Sequence, residues 1–251
     1  MKTFSEIIDY IVDAGKHKTS KKFRALLLQG IFAGMFVSTG ALGYFNLVAH
    51  TADPGLGKFL GALVFTTGII GILLLGSELF TSNCMVILSV YKKSIKLSSF
   101  MRVLITVLFA NFLGGLLMAL LSTGAGIFSE QMLQTVIKVA VVKTNMPIGQ
   151  MFISAILCNI IVCSGVMMSY GANTVTGKIM AIWFPIAVFV LSGTEHIVAN
   201  FFYLMMALLN GAGITIGGIL TNFGIVTLGN FIGGAIIIAG ADYFIDKDLN
   251  I

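Results

Sequence analysis

The chain has 251 residues, 57% of them hydrophobic and 10% charged, with a mean hydropathy of +1.01. A soluble domain carries roughly 25% charged residues, so these figures exclude an ordinary water-soluble enzyme and describe one polytopic membrane domain over residues 1–251. The formal charge of +5 bears on topology through its placement, and no nucleic-acid partner is expected from it.

Residues 1–22 are polar but patterned. Phe4, Ile7, Ile8, Ile11 and Val12 recur at helical spacing opposite Glu6, Asp9 and Asp13, which reads as an amphipathic helix on the membrane surface or beneath a pore mouth. There is no short apolar run with a small-residue cleavage site, so no cleavable signal is expected. Lys16, Lys18, Lys21, Lys22 and Arg24 then form a basic collar.

A first span is expected over 25–49 and a turn at Asp53-Pro54-Gly55. The next apolar segment, 58–90, is too long for a ~30 Å hydrocarbon core at about 1.5 Å per residue. It contains Gly76-Ser77-Glu78-Leu79-Phe80-Thr81-Ser82-Asn83, a polar cluster that predicts a helix break. A third span is expected at 101–121, a linker with modest helical patterning at 122–146, and a fourth span at 147–169 opened by Pro147. The fifth segment, 179–209, is interrupted by Gly193-Thr194-Glu195-His196-Ile197-Val198-Ala199-Asn200. A glycine-rich loop at 210–222 leads to a sixth span at 224–244.

The halves echo each other. Each broken segment reads Gly, a small hydroxyl residue, Glu, then Asn five positions after the Glu. Span three carries Asn111-Phe112-Leu113-Gly114-Gly115 and span six Asn230-Phe231-Ile232-Gly233-Gly234. With three spans per half, 25–121 and 147–244, the second copy enters from the opposite side. The fold expected is therefore an all-α membrane protein of six helices in two inverted three-helix repeats, with helices 2 and 5 broken. Paired broken helices mark a transport site near the bilayer midplane. Twelve Lys/Arg lie on the side of the termini against Lys58, Lys138 and Lys143 on the other, which places both termini in the cytoplasm of a cell inner or plasma membrane.

Ionisable groups inside a span mark a path or a relay. His196 is the one histidine deep in a span, and the bland alternative for it is a hydrogen-bonded structural residue. No second His or thiolate lies at ligand spacing, so no metal or other cofactor is expected. Glu78 and Glu195 are read as structural groups that accept hydrogen bonds from freed backbone N–H groups at their own breaks, with Asn83 and Asn200 doing similar work beside Gly76 and Gly193. Thr81 and Ser82 offer hydroxyls to an ion. Lys143 is read as a snorkelling anchor or as a charge that raises anion concentration at an outer vestibule. Phe65, Ile69, Leu79, Phe80 and Phe189 would supply hydrophobic constrictions, although lipid-facing residues need no such explanation. Cys84, Cys158 and Cys163 form no CxxC pair and read as small packing residues. No enzyme motif is present.

At these residues the chain resembles the formate/nitrite transporter family, whose members include formate, nitrite and hydrosulfide channels. The likeness rests on Leu79-Phe80-Thr81-Ser82, Ser192-Gly193, Glu195-His196, Ala199-Asn200 and Thr227-Leu228-Gly229-Asn230, and it covers essentially the whole chain. Lys143 and Asn159 fall where the family places its vestibule lysine and the asparagine near its pore histidine. The resemblance implies an aquaporin-like fold, a homopentamer with one pore per protomer, and constrictions at Phe65, Ile69, Leu79 and Phe189 around Thr81 and His196. Thr194 stands where many members have Phe, and Ile69 where Leu is common. The function expected is a passive or proton-linked channel for small weak-acid anions. The alternatives are a neutral-solute or water channel, which lacks the expected Asn-Pro, and a cation carrier using Glu78 and Glu195.

Overall fold

The computed structural model describes residues 1–249; the last two residues of the polar tail, Asn250 and Ile251, lie outside it. Among the described residues every regular element is helical. Helix α1 (Phe4–Ser20) starts at a capping box: Thr3 Oγ1 accepts from the Glu6 N–H, and the Glu6 carboxylate accepts from the Thr3 N–H at 2.6 Å. These two bonds satisfy donors that the first turn leaves free. After α2 (Phe23–His50), the Asp53 side chain caps α3 (Pro54–Leu75), and proline fills its first turn where no N–H is needed.

Gly76 stops α3 in the left-handed conformation, φ 64°, which a Cβ would strain. The chain resumes as α4 (Phe80–Asn83), a 3₁₀ turn (Cys84–Ile87) and α5 (Leu88–Tyr91). The second half repeats the pattern. After α6 (Leu97–Gly124), α7 (Glu130–Thr144) and α8 (Ile148–Gly171), helix α9 (Val175–Leu191) is stopped by Gly193, φ 67°, before α10 (Ile197–Leu209). Helix α11 (Ile216–Phe231) runs through a π-helical turn (Ile232–Ile238) into α12 (Ala239–Leu249).

Five stretches are long and apolar enough to cross a membrane: α2, α3, α6, α8 and the continuous 216–249. The short apolar helices α9 and α10 make up a sixth. Two expectations need adjustment. The stretch 122–146 is not a plain linker, because Ser129 caps the fifteen-residue α7 within it. The last span starts at Ile216 rather than near 224, because Thr215 Oγ1 accepts from the Gly218 N–H and nucleates a turn inside the glycine-rich stretch. The break of the second segment falls where the polar cluster begins, at Gly76, after an α3 of roughly 33 Å.

Helix α2 packs on α3 and α6, α8 packs on α9 and α11, and α3 meets α9 across the two halves. The NF-x-GG repeat sets the close approaches. A Cβ on Gly114 would lie 2.1 Å from the Ile31 carbonyl oxygen, and one on Gly233 would lie 2.4 Å from that of Ile156. Small residues at these points let membrane helices pack backbone to backbone. Helix α1 lies against α5, α6, α8 and α12, so both chain ends sit on one face, called here the terminal face. Helix α7 belongs to the opposite, far face.

Candidate functional site

Each break is pinned by one asparagine. Asn111 Oδ1 accepts from the Phe80 N–H at 2.9 Å, and its Nδ2 donates to the Gly30 and Glu78 carbonyls at 2.8 and 2.9 Å. Asn230 repeats this: Oδ1 accepts from the Ile197 N–H at 2.9 Å, and Nδ2 donates to the Ala155 and Glu195 carbonyls at 2.7 and 2.9 Å. Unsatisfied backbone groups cost several kcal/mol in a dry interior, so these two amides hold the interrupted chain in place. Reading the repeat exposes both residues but not their partners, which lie far off in the chain.

The glutamates do something other than expected. Neither carboxylate takes a backbone N–H at its own break. Glu78 accepts from Asn83 Nδ2 at 2.9 Å and forms ion pairs with Lys18 at 2.6 Å and Lys21 at 2.8 Å, both on or just beyond α1. Glu195 accepts from Asn200 Nδ2 at 2.6 Å and forms an ion pair with Lys143 of α7 at 2.7 Å. Asn222 closes this cluster, accepting from Asn200 at 2.9 Å and donating to the Lys143 carbonyl. A buried carboxylate needs a countercharge more than a neutral donor, and in both halves a lysine from outside the repeat supplies it. Lys143 is correspondingly buried, with its ammonium 5.8 Å from the Tyr203 ring centroid.

Between the breaks, Thr81 Oγ1 and His196 Nε2 lie 3.0 Å apart, both buried. His196 Nδ1 accepts the Ala199 N–H at 3.1 Å and so caps α10. A backbone N–H can only donate, so Nδ1 carries no proton. The neutral ring therefore holds its proton on Nε2, facing Thr81. The ring stacks near Phe189 at 5.4 Å between centroids, and Phe189 meets Phe65 edge to face at 5.8 Å.

Two cavities approach this core. The terminal cavity, of about 520 Å³, is lined by Lys18, Lys21, Glu78, Ser82 and Ile69 among others. The far cavity, of about 530 Å³, reaches Phe189, Thr194, Glu195 and His196. Phe65, Leu79, Phe80 and Thr81 line neither cavity and are buried between the helices. Asn159 is buried, and its Nδ2 donates to the Thr81 carbonyl at 3.2 Å and to that of Asn230 at 2.5 Å. Thr194 turns its hydroxyl back onto the Phe189 carbonyl at 3.1 Å. Cys84, Cys158 and Cys163 are buried and unpaired.

Residues 5–244 match the family model described as Formate/nitrite transporter. The chain is 35% identical over 254 residues to the "Uncharacterized transporter YrhG" of Bacillus subtilis (strain 168), covering 96% of this chain and 91% of that one. It is 32% identical over 234 residues to "Formate channel BtFdhC" of Bacillus thuringiensis, covering 92% and 90%. Among solved structures it resembles a "Pentameric formate channel with formate bound", with a TM-score of 0.78 and 28% identity over 89% of this chain and 97% of that one.

Proposed function

We propose that this chain, which belongs to the formate/nitrite transporter family, is a transmembrane channel for small monovalent weak-acid anions of the formate, nitrite and hydrosulfide class. The observation that carries the reading is the imidazole–hydroxyl bridge of His196 and Thr81, 3.0 Å long, set between two opposed helix breaks. Relatives described as formate channels support it.

The path runs from the far cavity past Phe189 and Phe65 to Thr81 and His196, then past Leu79, Phe80 and Ile69 to the terminal cavity. An anion stripped of water by these side chains loses several kcal/mol or more of hydration. The imidazole Nε2–H offers it one hydrogen bond. A second ring proton would have to sit on Nδ1 and would break the cap on α10. His196 therefore serves as a neutral donor, and the anion crosses the core as its conjugate acid, with the proton taken up in the vestibule. Flux rises as pH falls towards the substrate acid's own pKa.

Uptake of labelled formate into proteoliposomes, which reads the electroneutral passage of the acid, tests this. His196→Phe, which keeps a planar ring and removes the donor, is expected to lower the uptake rate at least tenfold, the factor that about 1.4 kcal/mol of barrier carries. Unchanged uptake with unchanged pH dependence would remove the histidine from the mechanism.

The remaining assignments belong to the same reading. The terminal face is cytoplasmic, following the excess of lysine and arginine there. Five copies associate, each with its own pore, as in the pentameric formate channel that the chain resembles. The apolar outer faces of α2, α6 and α8, with Phe32, Ile105, Phe109, Ile153 and Leu157 exposed, then meet lipid or a neighbouring copy.

A further inference from the structure

We propose that Lys58 and Lys138, and not Lys143, are the cations that draw anions into the far cavity. The inference rests on the anion-channel reading above and assigns a recruiting role within it. All three lysines line that cavity, with Glu195 at its inner end. Lys143 is in contact with Glu195 at 2.7 Å, and both are buried. To an ion approaching from solution such a pair is a short dipole, and its attraction fades much faster with distance than that of a free charge.

Lys58, in the second turn of α3, and Lys138, midway along α7, are exposed and enter no ion pair among the described residues. The other acids of this face are turned elsewhere. Asp53 accepts from the Leu56 N–H at 2.7 Å, Glu130 accepts from Gln134, and neither lines the cavity. Three lysines against one carboxylate leave the cavity two positive charges, and these belong to the unpaired pair.

A concave mouth with low-dielectric walls focuses such a field and raises the local anion concentration, with effects on association of tenfold or more. Screening limits its reach to a Debye length, about 8 Å at physiological ionic strength. The recruitment therefore acts at the mouth and weakens with salt. The role of the Lys143–Glu195 pair is then structural, since it keeps the buried carboxylate beside His196 compensated. Losing a recruiting charge and losing this pair have different signatures. The first changes the anion concentration at half-saturation. The second changes the maximal uptake rate or the amount of folded protein.

The test uses the full-length chain in proteoliposomes, with labelled formate as the probe supplied to the far face. Initial uptake rates are measured against formate concentration at low ionic strength and again with added choline gluconate. The double substitution Lys58→Gln and Lys138→Gln is expected to raise the half-saturating concentration about threefold or more at low salt. The maximal uptake rate should stay unchanged, and the salt dependence of the half-saturating concentration should vanish. Lys58→Arg with Lys138→Arg should restore both. Wild-type affinity and salt response in the glutamine double variant would overturn the proposal, as would a salt-sensitive loss of affinity from Lys143→Gln alone. A wild-type chain that passes no formate at all would overturn the anion-channel reading, and this proposal with it.

Discussion

Two asparagines decide whether the core exists, and one histidine decides what it offers. Asn111 and Asn230 each satisfy one N–H and one carbonyl that a helix break sets loose, and tie them to a carbonyl inside α2 or α8. Replacing Asn230 by Ala would leave the Ile197 N–H and the Glu195 carbonyl unpaired, each worth roughly 1–3 kcal/mol. Asn230→Ala is expected to lower the melting temperature in detergent by several degrees at least and to abolish formate uptake; a thermal melt of the purified variant reads the first effect. A variant with wild-type melting behaviour would show that the amide is dispensable. The sequence displays both residues plainly, because Asn-Phe-x-Gly-Gly recurs in the same place in each half. It does not display what they bind, since Asn230 reaches back to Ala155 and Glu195, and spacing along a chain carries no information about such contacts. The same limit explains the glutamates. Their position in apolar runs marks them as compensated, but the compensating lysines lie 57, 60 and 52 residues away.

At the scale of elements, α1 is the piece whose role changes most between pattern and structure. Its apolar stripe reads equally well as a membrane-surface helix. The structure instead buries Ile8, Ile11 and Val12 against the bundle. Tyr10 meets Tyr170 with ring centroids 4.7 Å apart and planes tilted by 56°, and Arg102 donates to the Thr19 carbonyl at 2.5 Å. Lys18 and Lys21 then bind Glu78 at the first break, so α1 and the break share one buried carboxylate. Removing both ammonium groups with Lys18→Met and Lys21→Met would leave that carboxylate with Asn83 alone, a loss of about 3–5 kcal/mol for a broken buried pair. Amide hydrogen exchange across 4–20 should speed up in the double variant. Unchanged protection would mean that the apolar stripe alone holds the helix. The other end of α1 has its own pH dependence. The Thr3 backbone N–H, helped by its hydroxyl, holds the exposed Glu6 carboxyl below its ordinary range. A depressed carboxyl stabilises the fold above its unfolded value and loses that contribution as pH falls through the depressed one. Exchange in the first turn of α1 should therefore accelerate only on acidification below the ordinary glutamate range. Thr3→Ala should show the faster exchange already at neutral pH. The start of α11 is harder to read than that of α1, because glycine-rich composition argues against helix while one threonine cap is enough to begin it.

For the whole molecule, inversion is the organising fact, and it is legible because it is written twice. Gly76 and Gly193 both stop a helix in the left-handed conformation, and Gly114 and Gly233 both admit a facing carbonyl. The copies then differ where chemistry is needed: the first break presents a threonine and the second a histidine, and only folding brings them within 3.0 Å. Inversion also has a consequence for topology. Helices α1 and α12 meet on the terminal face while α7 lies on the other, so a probe that reaches one face of an intact cell must miss the opposite one. The three native cysteines are buried and give little background. Asp9 on α1 and Gln131 on α7 are both exposed. In intact cells, a membrane-impermeant maleimide is expected to label Gln131→Cys and to spare Asp9→Cys until the cells are opened, as the proposed cytoplasmic placement of the lysine-rich face requires. Labelling of Asp9→Cys alone would reverse the orientation, leaving the pore chemistry intact but moving Lys58 and Lys138 to the cytoplasmic mouth. Labelling of both would break the inverted repeat itself, since two faces joined by an odd number of crossings per half cannot both lie outside.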